Sequence, residues 1–185
     1  MNIKFTKIQN ATQRKKVQEL YNESVPAHEK AYFYPLWWKR KRSNISFVNI
    51  CDEDKWVGFV FFSLYKDLIY IWFFATCDTV HSKEYDSAMF DKMKSLYPNH
   101  RIAVSIEAEN ENADNAEKST REKQFYEKNG FRETGYFVKR KTDSFEIMLI
   151  GESFHIEELC GVNKAVYPLI GWFLASDLRK QIQKK

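Results

Sequence analysis

The residues of this chain that could do chemistry gather in two places. The first is Ile106–Phe131, IEAENENADNAEKSTREKQFYEKNGF. Glu107 directly follows an apolar run, and a carboxylate at a strand end can take a proton, either itself or through a water. Glu109 and Glu111 stand further into a polar loop and read as solvated side chains. Arg121 is spaced to lie one turn into a helix. There its planar fork could hold a phosphate at two points, although an ordinary exposed arginine has the same signature. The second place is FATCDTVHSKEYDS, residues 74–87. Cys77 and His81 are four apart, which would suit a thiol and a base, but no third group is spaced to orient the histidine. Three scattered cysteines without a CxxC make neither a zinc site nor a disulfide framework, so no metal is expected.

These residues need elements to hold them. Ser119 followed by Glu122 reads as a capping box, whose hydroxyl and carboxylate satisfy backbone N–H groups at a helix start. Asn129-Gly130 stops that helix, since glycine reaches positive φ without steric cost. The bracketed helix spans about 119–129, with Phe125 and Tyr126 near its end. Arg101–Ile106 (RIAVSI) is a buried strand ahead of it. Tyr85, Met89, Met93 and Leu96 fall on one stripe of an amphipathic helix that begins near Ser82 and is closed by Pro98.

Three strand-like runs come before that helix: Ser46–Cys51, Trp56–Tyr65 and Leu68–Thr76, joined by polar turns. The third is apolar on both faces, as a central strand should be. At the N-terminus, Asn2–Ile8 alternates like a half-buried strand. Asn10 or Thr12 then caps a helix whose apolar face is Val17, Leu20 and Tyr21. Ala27–Arg42 divides into two helical pieces around Pro35. Gly135–Lys141 and Ser144–Ile150 form a hairpin. The order is βααβββαβαββ, followed by a tail in which Val166, Leu169, Ile170, Phe173 and Leu174 line one helix face, with Pro168 in its first turn.

With 185 residues, 44% of them hydrophobic, the chain is one domain with an appendage, divided here as 1–151 and 152–185. Fifteen Phe, ten Tyr and five Trp favour strands and stacked interiors. The formal charge of +4 is modest and spread out. The basic runs Lys39–Arg42, Lys139–Lys141 and Lys184-Lys185 are not interleaved with stacking aromatics on one predicted face, so nucleic acid is not an expected partner. No run approaches the roughly 20 apolar residues of a membrane-spanning helix. The start, MNIKFTKIQN, has no signal-peptide core, and the cysteine usage fits a reducing compartment. The expectation is a cytoplasmic protein without stable membrane insertion, its tail helix packed on the domain or on a second copy in a homodimer.

The Phe125-Tyr126 pair, running through the helix stop into Phe131 as FYEKNGF, resembles the signature of the GNAT superfamily of acyl-CoA-dependent N-acyltransferases. The order βααβββαβαββ over about residues 1–151 is also that fold's connectivity. The resemblance implies an α/β (α+β) fold with a mixed, mostly antiparallel central sheet and helices on both faces, here extended by a C-terminal helical segment. It implies transfer of an acetyl group from acetyl-CoA to a primary amine of a small molecule or peptide. Tyr126 would lie beside the cofactor sulfur as general acid, and Glu107 would face the cleft as base. Phe74, Ala75 and Thr76 would occupy the strand end whose backbone pairs with pantetheine and the acetyl carbonyl. Asn115 and Arg121 match cofactor-contact positions. The acceptor would bind near the first two helices, where Glu29 could attract an amine and Tyr32, Trp37 and Trp38 could wall a pocket.

The phosphate loop departs from that family's pattern, [QR]-x-x-G-x-[GA]. His81 takes the first position, and Glu84 and Asp86 replace the two glycines. A carboxylate about 6 Å from a phosphate charge, at an effective dielectric near 20, costs about 3 kcal/mol before screening. Turned to solvent, each would instead complement the helix dipole. His81, Ser82, Lys83, Tyr85 and Ser87 remain the candidate contacts to the cofactor there. The alternative to an enzyme is a GNAT-fold binding module that has lost acyl-CoA affinity.

Overall fold

The computed structural model describes residues 1–26, 31–77, 83–108, 116–140, 143–166 and 182–184. Its elements follow the expected order: β1 (Ile3–Lys7), α1 (Ala11–Ser24), α2 (Phe33–Lys39), β2 (Ile45–Asp52), β3 (Lys55–Tyr65), β4 (Leu68–Thr76), α3 (Lys83–Leu96), β5 (Arg101–Glu107), α4 (Ala116–Lys128), β6 (Arg132–Arg140) and β7 (Asp143–Ile150). Two more elements close the chain, α5 (Ile156–Val166) and β8 (Ile182–Lys184). Helix α5 lies ahead of the stripe expected to form the tail helix and includes only its first residue, Val166. Leu169, Ile170, Phe173 and Leu174 lie outside the described residues. The short strand β8 was not foreseen. The chain forms two compact units, Met1–Ser63 with Ile71–Pro98, and Leu64–Tyr70 with Asn99–Lys185.

The first unit carries strands in the order β1-β2-β3-β4, with β1 and β2 antiparallel and β2 and β3 antiparallel. Its interior is aromatic. Tyr21 of α1 lies edge-on to Phe73 with ring centroids 5.3 Å apart, and Phe47 meets Phe61 at 5.1 Å. Each such pair adds about 0.5–1.5 kcal/mol beyond its buried area. The Tyr21 hydroxyl both donates to the Ala31 carbonyl and accepts from the Ala31 N–H, so this buried polar tip ties down the approach to α2. Asn10 caps α1, its Oδ1 accepting from the Gln13 N–H at 2.9 Å. Helix α2 is one piece, because Pro35 falls in its first turn, where a missing N–H costs no helical bond. In α3, Met89 and Met93 are buried as predicted, and Phe90 joins them. Leu96, at the frayed end, is exposed.

In the second unit the order is β5-β7-β6-β8, antiparallel throughout, with the start of β4 beside β5. That last pair runs parallel. The Arg101 N–H donates to the Asp67 carbonyl, and the Tyr70 hydroxyl meets Ser105 Oγ at 2.6 Å, so residues advance together along both strands. The unit closes on Arg101. Its guanidinium holds Asp67 through two nitrogens at 2.7 and 2.8 Å, and reaches Glu158 of α5 at 2.6 and 3.0 Å and the Ser153 carbonyl at 2.6 Å. Glu158 also accepts the His155 N–H, so α5 enters with its first turn fixed.

Hydrogen bonding from Arg101 holds the Asp67 carboxyl below its usual range. Burial pushes Glu158 up, but the bonds from Arg101 and His155 outweigh it and leave its carboxyl low as well. Both groups are therefore more readily ionised folded than unfolded. Their contribution is complete above the unfolded values, near 3.9 and 4.3, and is lost as pH falls through the lower folded ones. Arg101→Ala should cost about 3–5 kcal/mol in urea unfolding at pH 7, because it strands a buried carboxylate. The deficit should shrink toward pH 3; a loss that is equal at both pH values would contradict the assignment.

Candidate active site

In the first unit the sequence places its candidates on the end of β4 and the start of α3. Phe74 packs edge-on against Phe90 of α3 at 5.4 Å, while Ala75 and Thr76 are buried. Gly58 of β3 explains how β4 is held there. A Cβ at Gly58 would lie 2.1 Å from the Ala75 carbonyl oxygen, so only glycine permits this backbone approach. Cys77 completes the pairing, its N–H and its thiol both directed at the Val57 carbonyl at 2.9 and 3.2 Å. That thiol is a donor to backbone, while His81 lies outside the described residues.

The two carboxylates that the resemblance aligns with glycines differ in their surroundings. Asp86, half-buried, accepts a hydrogen bond from Thr76 Oγ1 at 3.1 Å, which joins the end of β4 to the first turn of α3. Glu84 is exposed in that turn, where a negative charge suits the helix dipole. The Tyr85 hydroxyl donates to Asp52 Oδ2 at 3.1 Å, and this bond raises its pKa above the usual tyrosine range. Ser87 is half-buried one turn into α3. Ser82 lies outside the described residues, as do Glu29 and Asn115, and Lys83 is described only in its backbone. Of the expected acceptor wall, Trp37 is buried, stacked on Phe33 with the Arg40 guanidinium 3.6 Å from its ring centre. Tyr32 is 88% exposed.

In the second unit Tyr126 sits in the last turn of α4 and is buried. The chain reverses there by a defined device. The Phe131 N–H returns to the Tyr126 carbonyl and the Gly130 N–H to the Glu127 carbonyl, with Gly130 at φ 91°. This is the 6→1 and 5→2 pairing of a Schellman stop. The apolar contact that accompanies such a stop is Phe131 standing edge-on to the Tyr126 ring at 5.3 Å. The FY…NGF spacing is thus one folding unit that orients the tyrosine. The N-terminal end differs from expectation: α4 starts at Ala116, so Ser119 is a buried residue within the helix and no capping box forms at 119–122. Ala-Glu-Lys are strong helix formers, and they carry the helix back past the serine.

Glu107 is the last residue of β5, opposite Phe145 of β7. It belongs to the strand, where it is half-buried. Arg121 is exposed and paired with Glu117 one turn earlier. A half-buried cation two positions on escaped prediction. Lys123 Nζ pairs with Glu133 of β6 and with the buried Glu146 of β7, the latter at 3.0 Å. Burial works against its charge, but the two carboxylates prevail and raise its pKa. The available signal was Glu146 itself, an acid inside SFEIMLI, a strand buried along most of its length that demands a cation.

Comparison with solved structures matches this architecture closely. A GNAT-family protein of Bacteroides thetaiotaomicron superposes with a TM-score of 0.69 at 20% identity, over 95% of this chain and 97% of its own. The fold is that of the GNAT acetyltransferases. An aminoglycoside 6'-N-acetyltransferase in complex with coenzyme A matches at TM-score 0.63 and 13% identity, over 84% of this chain and all of its own. The corresponding enzyme of Enterococcus faecium gives 0.62 and 12% over the same shares. No protein-family profile and no curated protein sequence matches. The mixed, mostly antiparallel sheet is as the resemblance implied. Gly58 is the position there that sequence reading passed over. Gly58→Ala should cost about 1–3 kcal/mol of stability by forcing the β3 and β4 backbones apart; chemical denaturation with an unchanged midpoint would contradict that close approach.

Proposed function

We propose that the chain is an N-acetyltransferase that moves an acetyl group from acetyl-CoA to a primary amine. One observation carries the reading: a buried tyrosine, Tyr126, oriented by its own helix stop at the place in a GNAT fold where the FYEKNGF resemblance puts a proton donor. The backbone at Phe74–Thr76, fixed by Gly58, supports the same reading, because in it main-chain groups hold the thioester arm. Likeness to a coenzyme A complex supports acetyl-CoA as the co-substrate. Ser87 and Arg121, with the undescribed His81, Ser82 and Asn115, remain assigned to the cofactor by sequence position, as do Lys83 and Tyr85.

In this mechanism Glu107 takes a proton from the incoming ammonium, directly or through water. The amine nitrogen bonds to the thioester carbon, the carbon–sulfur bond breaks, the departing thiolate takes the Tyr126 hydroxyl proton, and the second proton shed by the nitrogen as it becomes an amide returns to the Tyr126 oxygen, directly or through water. Glu29, Tyr32 and Trp37 are assigned to the acceptor. Thiol release from acetyl-CoA should depend on added amine. Tyr126→Phe should lower turnover about 100-fold or more with little change in acetyl-CoA affinity, whereas unchanged turnover would remove Tyr126 from the mechanism. A second reading, a GNAT-fold binding module, is favoured by the acidic first turn of α3 at Glu84 and Asp86. It predicts a folded chain that releases no thiol with any amine.

A further inference from the structure

Beside the residues assigned to the acceptor, the first unit carries an exposed aromatic and basic face. Five large hydrophobic side chains are exposed among the described residues, and three of them, Tyr32, Tyr34 and Trp38, fall within seven consecutive positions. Tyr34 and Trp38, 55% and 73% exposed, are four apart in α2 and so share one face. Immediately after them come Lys39, Arg40, Lys41 and Arg42, the last two exposed. No acidic residue occurs from Ala31 to Cys51. The fold adds a further cation to this run. Arg14 of α1 approaches the Trp37 ring from 5.8 Å while Arg40 covers it at 3.6 Å, which brings Arg14 beside the α2 run. The positive charges feel one another: burial and then Arg42 lower the Lys39 pKa, and burial and then Arg14 lower that of Arg40.

We infer that this face binds single-stranded nucleic acid, with Tyr34 and Trp38 stacking bases and Lys41 and Arg42 neutralising phosphates. Stacking on exposed aromatic rings beside a cationic track is the sequence-tolerant way such strands are held. The sequence alone showed no aromatics sharing a face with a basic run; the exposure of Tyr34 and Trp38 supplies them. An anionic lipid surface fits less well. A helix lying in a bilayer interface inserts a broad apolar face, whereas Phe33 and Leu36 of α2 are buried and leave no such face exposed.

The test is fluorescence anisotropy of a labelled oligouridylate of about 12 nucleotides, titrated with the full chain over a range of salt. Binding should weaken with salt, and the double variant Lys41→Ala/Arg42→Ala should flatten the log–log slope by about 1.4, or about 0.7 for each phosphate no longer neutralised. Trp38→Ala should weaken binding about tenfold and leave the slope unchanged. These side chains are exposed, so thermal melts should not move. The inference is overturned by absent binding at low salt, by affinity indifferent to both variants, or by tighter, equally variant-sensitive binding to phosphatidylglycerol vesicles. It stands apart from the acetyl-transfer reading and survives that reading's failure.

Discussion

A single guanidinium organises the C-terminal unit. Arg101 begins β5, and its own N–H fixes that strand against the turn before β4. Its side chain then grips Asp67 in that turn and Glu158 on α5. Three stretches distant in sequence converge on one planar fork, which suits the task because its donors lie in fixed directions. The register set at Arg101 runs along β5 to Glu107. The strand that ends in the candidate base is therefore aligned from its opposite end.

A second constraint governs the candidate acid. The Schellman stop holds the tyrosine by backbone and ring at once, since the carbonyl of Tyr126 accepts from Phe131 while the two rings meet edge-on. One turn earlier, Lys123 binds α4 to Glu133 and Glu146. Of the three, only Glu146 is buried, and Lys123 supplies the cation that its burial demands. The helix that carries Tyr126 is thus fixed along its length by charge and at its end by a turn.

Much of the architecture was legible in the sequence because it rests on local rules. Asn129-Gly130 could only end a helix, the Asn10 cap formed as read, and alternation and turns located β1 through β7. What failed depended on context. Ser119 had the spacing of a cap, yet the better helix formers before it extended α4 and buried it. Pro35 read as a divider but fell in a first turn. Gly58 gave no signal, since a glycine within a strand is ambiguous until its neighbour is known. Arg101, Lys123, Glu146 and Glu158 looked like ordinary charges, because their partners are fixed only by long-range packing. Among the candidate site residues, local position was predictable at Thr76, Tyr85 and Tyr126. The bonds from Thr76 to Asp86 and from Tyr85 to Asp52 were not, as each joins separate elements.

The functional account requires that acetyl-CoA bind a chain with Glu84 and Asp86 at the positions where the GNAT resemblance would put phosphate-loop glycines. In the structure one of these carboxylates is engaged by Thr76 and the other is exposed. Calorimetric titration of acetyl-CoA into the full chain tests this most directly. The account predicts saturable heat with one site per chain and a dissociation constant below about 1 mM, the upper end of ordinary substrate affinities. No heat at millimolar acetyl-CoA from a folded protein would contradict it.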